Sequence, residues 1–149
     1  MISYLDTSIA VKLYVLEQGS PEARAAVANS SVVATSRVAY AEAMAAFARK
    51  LREREFTAKT YEQVRRDLRR DWDSFFIIEV SQQTVELAGE LAKLRRLRGF
   101  DAIHLASALQ LQLRTNSRLD FFSADRHLQK AARSEGLKTS KIGITRNGL

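Results

Sequence analysis

Ile2 to Leu5 is a short apolar run that stops at Asp6, after which Ile9, Ala10, Leu13 and Tyr14 recur in helical rhythm until Gly19. The change from a continuous run to a 3.6-residue spacing predicts a strand, a tight turn and a helix. Ser20-Pro21-Glu22 has the make-up of a second helix start, with a capping hydroxyl, a first-turn proline and an early acid, and predicts a helix to Asn29. Val32-Val33-Ala34 reads as a buried strand. Thr35 or Ser36 is then placed to cap a long helix from Arg37 to about Arg54, and Thr57 to start another reaching about Asp73. Phe75 to Val80 predicts a third strand, Ser81 a helix to about Leu97, Gly99 a break, and Asp101 to Leu113 the following helix. Leu119 to Ser123 predicts a fourth strand, Asp125 to Ser134 a helix closed by Gly136, and Leu137 to Ile142 a fifth strand.

Strands alternating with helices define an α/β fold, because parallel neighbours need a crossover between them. The expected architecture is a three-layer α/β/α domain around a mostly parallel five-stranded sheet. It spans residues 1–142 as one unit, with 143–149 as a loose tail. The chain has 149 residues, 46% of them hydrophobic, and no stretch apolar enough to span a bilayer. No basic segment leading into an apolar core opens it, so the expected location is the cytoplasm. With no cysteine and only two histidines, thiolate chemistry is excluded and zinc has few nitrogen ligands. Any metal here is expected on oxygen. The net charge of +7 raises the prior for a polyanionic partner without choosing among RNA, DNA and an acidic protein.

Ligands of open α/β sheets bind outside the carboxyl ends of the strands. Asp6 ends the first predicted strand and Asp125 follows the fourth, whereas Asp120 stands at the opposite, amino end. Asp101 opens an otherwise apolar helix. For each aspartate alone, helix capping, worth about 1 kcal/mol, stands as an equal alternative to a site role. Glu42 is different, because Val38, Ala39, Ala45 and Ala46 at helical spacing place it in the stripe expected to face the core. An inward carboxylate needs a cation or a proton, so either a metal or an arginine, Arg37 or Arg49, is expected beside it. If Asp6, Glu42, Asp101 and Asp125 converge, they form an oxygen-only anionic pocket suited to Mg²⁺ or Mn²⁺ and, through it, to phosphodiester hydrolysis.

Four segments in this order, "YLDTSIAVKLYVLEQGS", "TSRVAYAEAMAAF", "LRGFDAIHLASAL" and "FFSADRHLQKAARSEGL", resemble the PIN-domain ribonucleases, and among them the VapC-type toxins of toxin–antitoxin pairs. The resemblance spans nearly the whole chain. It implies that Asp6, Glu42, Asp101 and Asp125 bind Mg²⁺ or Mn²⁺ and hydrolyse RNA endonucleolytically, in a homodimer blocked by a VapB-like antitoxin. It also points to Ser8, and to Ser123 where the family often has threonine, as hydroxyls that orient a carboxylate or water. The rival within the same fold is a non-catalytic domain that binds RNA or protein through its basic surface. A phosphatase of the haloacid dehalogenase type expects a second aspartate where Ser8 stands, and a receiver domain expects an adjacent acidic pair early in the chain.

Among the remaining residues, His104 sits one helical turn after Asp101 amid Ile103, Leu105 and Ala108, and is expected to be packed rather than catalytic. His127 is expected to be exposed. Lys12, Arg95, Arg96 and Arg98 are candidates for a positive rim that guides RNA. Arg65, Arg66, Arg69 and Arg70, with Glu62 and Asp67 nearby, read as a solvated helix face. Phe47, Leu51 and Phe56 are candidates to line a groove for an apolar antitoxin helix.

Overall fold

The computed structural model describes residues 1–141. Its elements are β1 (Ile2–Leu5), α1 (Thr7–Lys12), α2 (Ser20–Ala28), β2 (Val32–Ser36), α3 (Val38–Arg52), α4 (Ala58–Trp72), β3 (Phe76–Ile78), α5 (Gln82–Arg95), α6 (Gly99–Thr115), β4 (Leu119–Ser123), α7 (Arg126–Ser134) and β5 (Lys138–Lys141). The five strands form one sheet in the order β3-β2-β1-β4-β5, and every pairing is parallel. The expected Ile142 end of β5 and the tail at 143–149 lie outside the described residues.

Alternation along the strands decides which helices cover which face, because neighbouring side chains point to opposite sides. Tyr4 and Phe121 join the core formed with α5, α6 and α7, while the adjacent Leu5 and Phe122 pack against Ile9 of α1 and Ala23 of α2. This is the three-layer arrangement, with the strands as its middle layer. A third cluster, around Phe47, Val64 and Leu68, ties the α3–α4 pair to Val11 and Val15.

Several boundaries differ from the sequence reading. The first helix stops at Lys12 instead of running toward Gly19, because Ser20 Oγ donates to Val15 O at 2.7 Å and accepts from Glu17 N at 3.0 Å, folding the chain back. Ser20 is therefore occupied with that turn, and Gly19, at φ 88°, takes the cap position of α2. Thr35 lies in β2, with its hydroxyl on Leu5 O at 2.7 Å. Gly99 begins α6 rather than separating two helices, so Asp101 is in the first turn and makes no capping bond. An acid there still meets the positive helix end.

Sheet order fixes where chemistry can sit. From β1 the chain proceeds outward to β2 and β3, whereas from β4 it proceeds the other way to β5. The crevice beyond the carboxyl ends of β1 and β4 is the switch point at which α/β sheets bind ligands.

Candidate active site

Asp6 and Asp125 both stand at that switch point. Asp6 follows β1, its backbone N–H bonds Phe122 O of β4 at 3.1 Å, and only 4% of the residue is exposed. Its Oδ1 accepts from Ile9 N at 3.2 Å, capping α1, and from Ser8 Oγ at 2.6 Å. Ser8 Oγ in turn accepts from Ala124 N at 3.0 Å, and the nearby Ser123 acts to lower the Asp6 carboxyl. Ser123 Oγ also accepts from Asp125 N at 3.0 Å. Ser8 thus joins the end of β1 to the loop carrying Asp125, and Ser123 braces that loop from within. Asp125 Oδ1 caps α7 through His127 N at 2.8 Å and Leu128 N at 3.1 Å.

Glu42 and Asp101 approach from the helices. Both line a cavity of about 530 Å³ together with Arg98, Gly99, Phe100 and Ile103. Glu42 is half-buried, and Ala39 and Ala43 of the same helix are buried. The expected arginine partners are engaged elsewhere, Arg37 with Glu79 and Arg49 with Glu53. Glu42 Oε1 instead accepts from Thr7 Oγ1 at 2.7 Å and lies 2.8 Å from His104 Nε2.

His104 is packed, as the sequence suggested, at 1% exposure, and also meets Tyr4 OH through Nδ1 at 2.8 Å. It is more than packing: the imidazole ties Glu42 to the sheet. Neither Thr7 nor Tyr4 was singled out by sequence. Their signals were weak, namely a hydroxyl directly after Asp6 and a tyrosine inside an apolar strand.

The environments push two of the acids in opposite directions. Burial raises the Asp6 carboxyl above the usual range, against the lowering influence of His104, Ser123, Ser8 and the Ile9 amide. Burial acts on Glu42 as well, but hydrogen bonds from His104 and Thr7 outweigh it and hold that carboxyl below the usual range. A buried carboxylate whose charge nothing fully offsets is a place where a cation gains energy. Carboxylate and hydroxyl oxygens, the donors these residues offer, are of the kind that suits a hard divalent ion. As placed, no three Asp, Glu or His groups among the described residues already form a metal cluster.

The expected basic rim divides. Arg98 borders the Glu42–Asp101 cavity, with Nε 3.3 Å from Asp101 Oδ2. Arg95 and Arg96 line a separate, smaller pocket with His127 and Lys130, and Arg95 pairs with Glu135 at 2.9 Å. His127 is exposed, with Nε2 2.9 Å from Arg96 O. Lys12 does not stand on an open rim: it is 8% exposed and its ammonium meets Glu17 at 3.0 Å, because the early end of α1 turns Glu17 back onto it. The expected apolar groove is also corrected at Phe47, which is fully buried between Tyr14 and Phe56 and offers no surface to a partner. Asp120, at the amino end of β4, is buried 3.5 Å from Lys138 Nζ, away from the switch point.

A model of the PIN domain matches residues 3–134. Ribonuclease VapC45 of Mycobacterium tuberculosis (strain CDC 1551 / Oshkosh) is 39% identical over 110 residues, covering 71% of this chain and 74% of that protein. Among solved structures, a toxin–antitoxin complex from Klebsiella pneumoniae contains a chain 25% identical, with a TM-score of 0.62, over 83% of this chain and 86% of that one. VapBC2 from Rickettsia felis, bound to a DNA fragment from its promoter, shares the fold with a TM-score of 0.65 at 16% identity, over 95% and 98% of the two chains. The chain belongs to the PIN-domain family and stands within it beside the VapC ribonucleases. No helix among the described residues is long and apolar enough to cross a membrane.

Proposed function

We propose that this protein is a divalent-metal-dependent endoribonuclease of the VapC type, the toxin of a pair whose VapB-like antitoxin neutralises it. The observation that carries the reading is the placement of Asp6 and Asp125 at the β1–β4 switch point, with Glu42 and Asp101 on the wall of one cavity. Asp6, Glu42, Asp101 and Asp125 are the residues that would hold Mg²⁺ or Mn²⁺. Such an ion, when bound, supplies Lewis acidity and offsets the charge of a phosphodiester among carboxylates.

The chain's own residues do the rest. Ser8 holds Asp6 in place, Ser123 holds the backbone at Asp125, and Thr7 and His104 hold Glu42. The Arg98 side chain, 85% exposed at the cavity, supplies a phosphate contact. The oxygen of a water forms a bond to phosphorus, the bond from phosphorus to the 3′ oxygen breaks, and the water's proton balances the released 3′-hydroxyl. The products carry a 5′-phosphate and a 3′-hydroxyl. The same reading includes a homodimer acting in the cytoplasm.

The test is digestion of single-stranded RNA with Mn²⁺, comparing the wild type with Asp101→Asn and with chelator present. Cleavage is expected only from the wild type with metal. Undiminished cutting by Asp101→Asn, in a preparation free of other nucleases, would sink the mechanism.

A further inference from the structure

Resting on the reading of Glu42 as a metal-binding carboxylate, we propose that His104 is a positioning residue: backed by Tyr4, its Nε2–H and the Thr7 hydroxyl occupy one oxygen of Glu42 and aim the other at the ion.

The hydrogen-bond inventory constrains the atoms. An ionised carboxylate can only accept, so the proton in the 2.8 Å contact between His104 Nε2 and Glu42 Oε1 belongs to the imidazole. Thr7 Oγ1 has one proton, which goes to the same Oε1 at 2.7 Å, and its lone pairs face His104 Nε2 at 3.0 Å. Oε1 therefore carries two donors, one from α1 and one from α6. Glu42 itself is on α3, so three separate elements meet at this carboxylate.

Behind the ring, His104 Nδ1 contacts Tyr4 OH at 2.8 Å. Tyr4 is fully buried in β1, a central strand, and its ring stacks on Phe121 of β4 at 5.5 Å and 7°. It meets the imidazole edge-on at 5.9 Å and 74°. Burial keeps its hydroxyl protonated, so it provides a neutral partner for Nδ1. The sheet thus acts as a fixed post, the imidazole as a strut, and the carboxylate as the part held.

Apolar packing does not need this chain of contacts. A leucine at position 104 would fill much of the same buried volume without presenting any polar atom that must be satisfied. What only the imidazole provides is a rigid donor at the depth of Glu42 Oε1. Partners of this kind hold metal-binding side chains in the geometry the ion requires, and their loss typically costs about 10–100-fold in metal affinity.

The test uses the metal-free full chain and measures Mn²⁺ binding by the electron paramagnetic resonance of the free ion. His104→Leu is expected to weaken binding by about 10–100-fold, and His104→Gln, whose amide can reach the same oxygen, to recover most of the loss. Nitrogen-15 spectra of the wild-type imidazole should show a proton on Nε2. Wild-type Mn²⁺ affinity in His104→Leu, when Glu42→Gln has lost it, would overturn the positioning role and leave the proposed function standing. Unchanged affinity in Glu42→Gln would instead overturn the metal assignment on which both rest. Should His104→Leu fail to fold, Tyr4→Phe and Thr7→Val, each removing a single hydroxyl, decide the question by the same titration. Weakened Mn²⁺ binding in both supports the role, and wild-type binding in both overturns it.

Discussion

Arg98 stands three residues before Asp101 and places its Nε 3.3 Å from the Asp101 carboxylate, so the cation at the mouth of the cavity is engaged with an acid inside it. The arginine side chain is 85% exposed, and exposed pairs contribute little because water and salt screen them. Releasing Asp101 therefore costs little, and the freed guanidinium can contact an RNA phosphate. Arg98→Gln should weaken RNA binding and reduce the slope of log affinity against log salt by about 0.7–0.9, the loss of one phosphate contact. With Asp101 holding the ion as proposed, Mn²⁺ affinity should not fall, since the arginine competes for the same carboxylate. Filter binding across a salt series checks the first expectation, and metal titration the second.

Asp6 should make the metal-free protein less stable as pH rises. Burial lifts its carboxyl in the folded state, so the stability tied to its proton is fully present below the ordinary carboxylate range. It is lost as pH climbs through the raised folded value. Asp6→Asn removes that loss and should melt at a higher temperature than the wild type at pH 7 without metal. Added Mn²⁺ should raise the melting temperature of the wild type and not of the variant. A variant less stable than wild type at neutral pH, yet still protected by Mn²⁺, would contradict both halves.

Glu42 should behave in the opposite sense. His104 and Thr7 hold its folded-state carboxyl below the usual range despite burial, so its contribution is present above the unfolded value. It is lost as pH falls through the lowered one. In Glu42→Gln the acid limb of the metal-free stability profile should flatten, while the Asp6-dependent limb remains. Denaturant midpoints measured from pH 3 to 8 separate the two limbs.

The folding pattern was legible where local chemistry decides it. Thr57 and Ser81 accept from Thr60 N and Thr84 N, as their positions ahead of apolar-periodic segments implied, and β4 has the bounds its apolar run announced. The four acids stood out because each occupies a strand end, a helix start or an apolar stripe. What the one-dimensional pattern lacked was contact over long separations. His104 meets Glu42 across 62 residues and Tyr4 across 100. Sequence could place the imidazole among apolar neighbours without revealing what it bonds. The Arg37 alternative failed for the same reason, its partner Glu79 lying 42 residues away, whereas Arg49 is taken locally by Glu53 one helical turn on.

Phe47 shows how the missing depth changes an experiment. Its helical spacing with Leu51 made it a candidate to receive an antitoxin helix, but α4 and the turn after α1 already cover it, leaving 0% exposed. Tyr14 meets the ring edge-on at 6.2 Å and Phe56 lies 6.5 Å away. Phe47→Ala should therefore cost about 3–5 kcal/mol of folding stability, the range for emptying a buried aromatic site. Phe47→Asp would bury a charge, and lost antitoxin binding by that variant would report unfolding rather than a broken interface. Phe100, 56% exposed on the cavity wall, provides the contrast: Phe100→Ser should leave the denaturant midpoint close to wild type. Urea unfolding of the two variants, side by side, checks the difference. A near-wild-type midpoint for Phe47→Ala would mean that this ring is not the core of the α1–α3–α4 cluster.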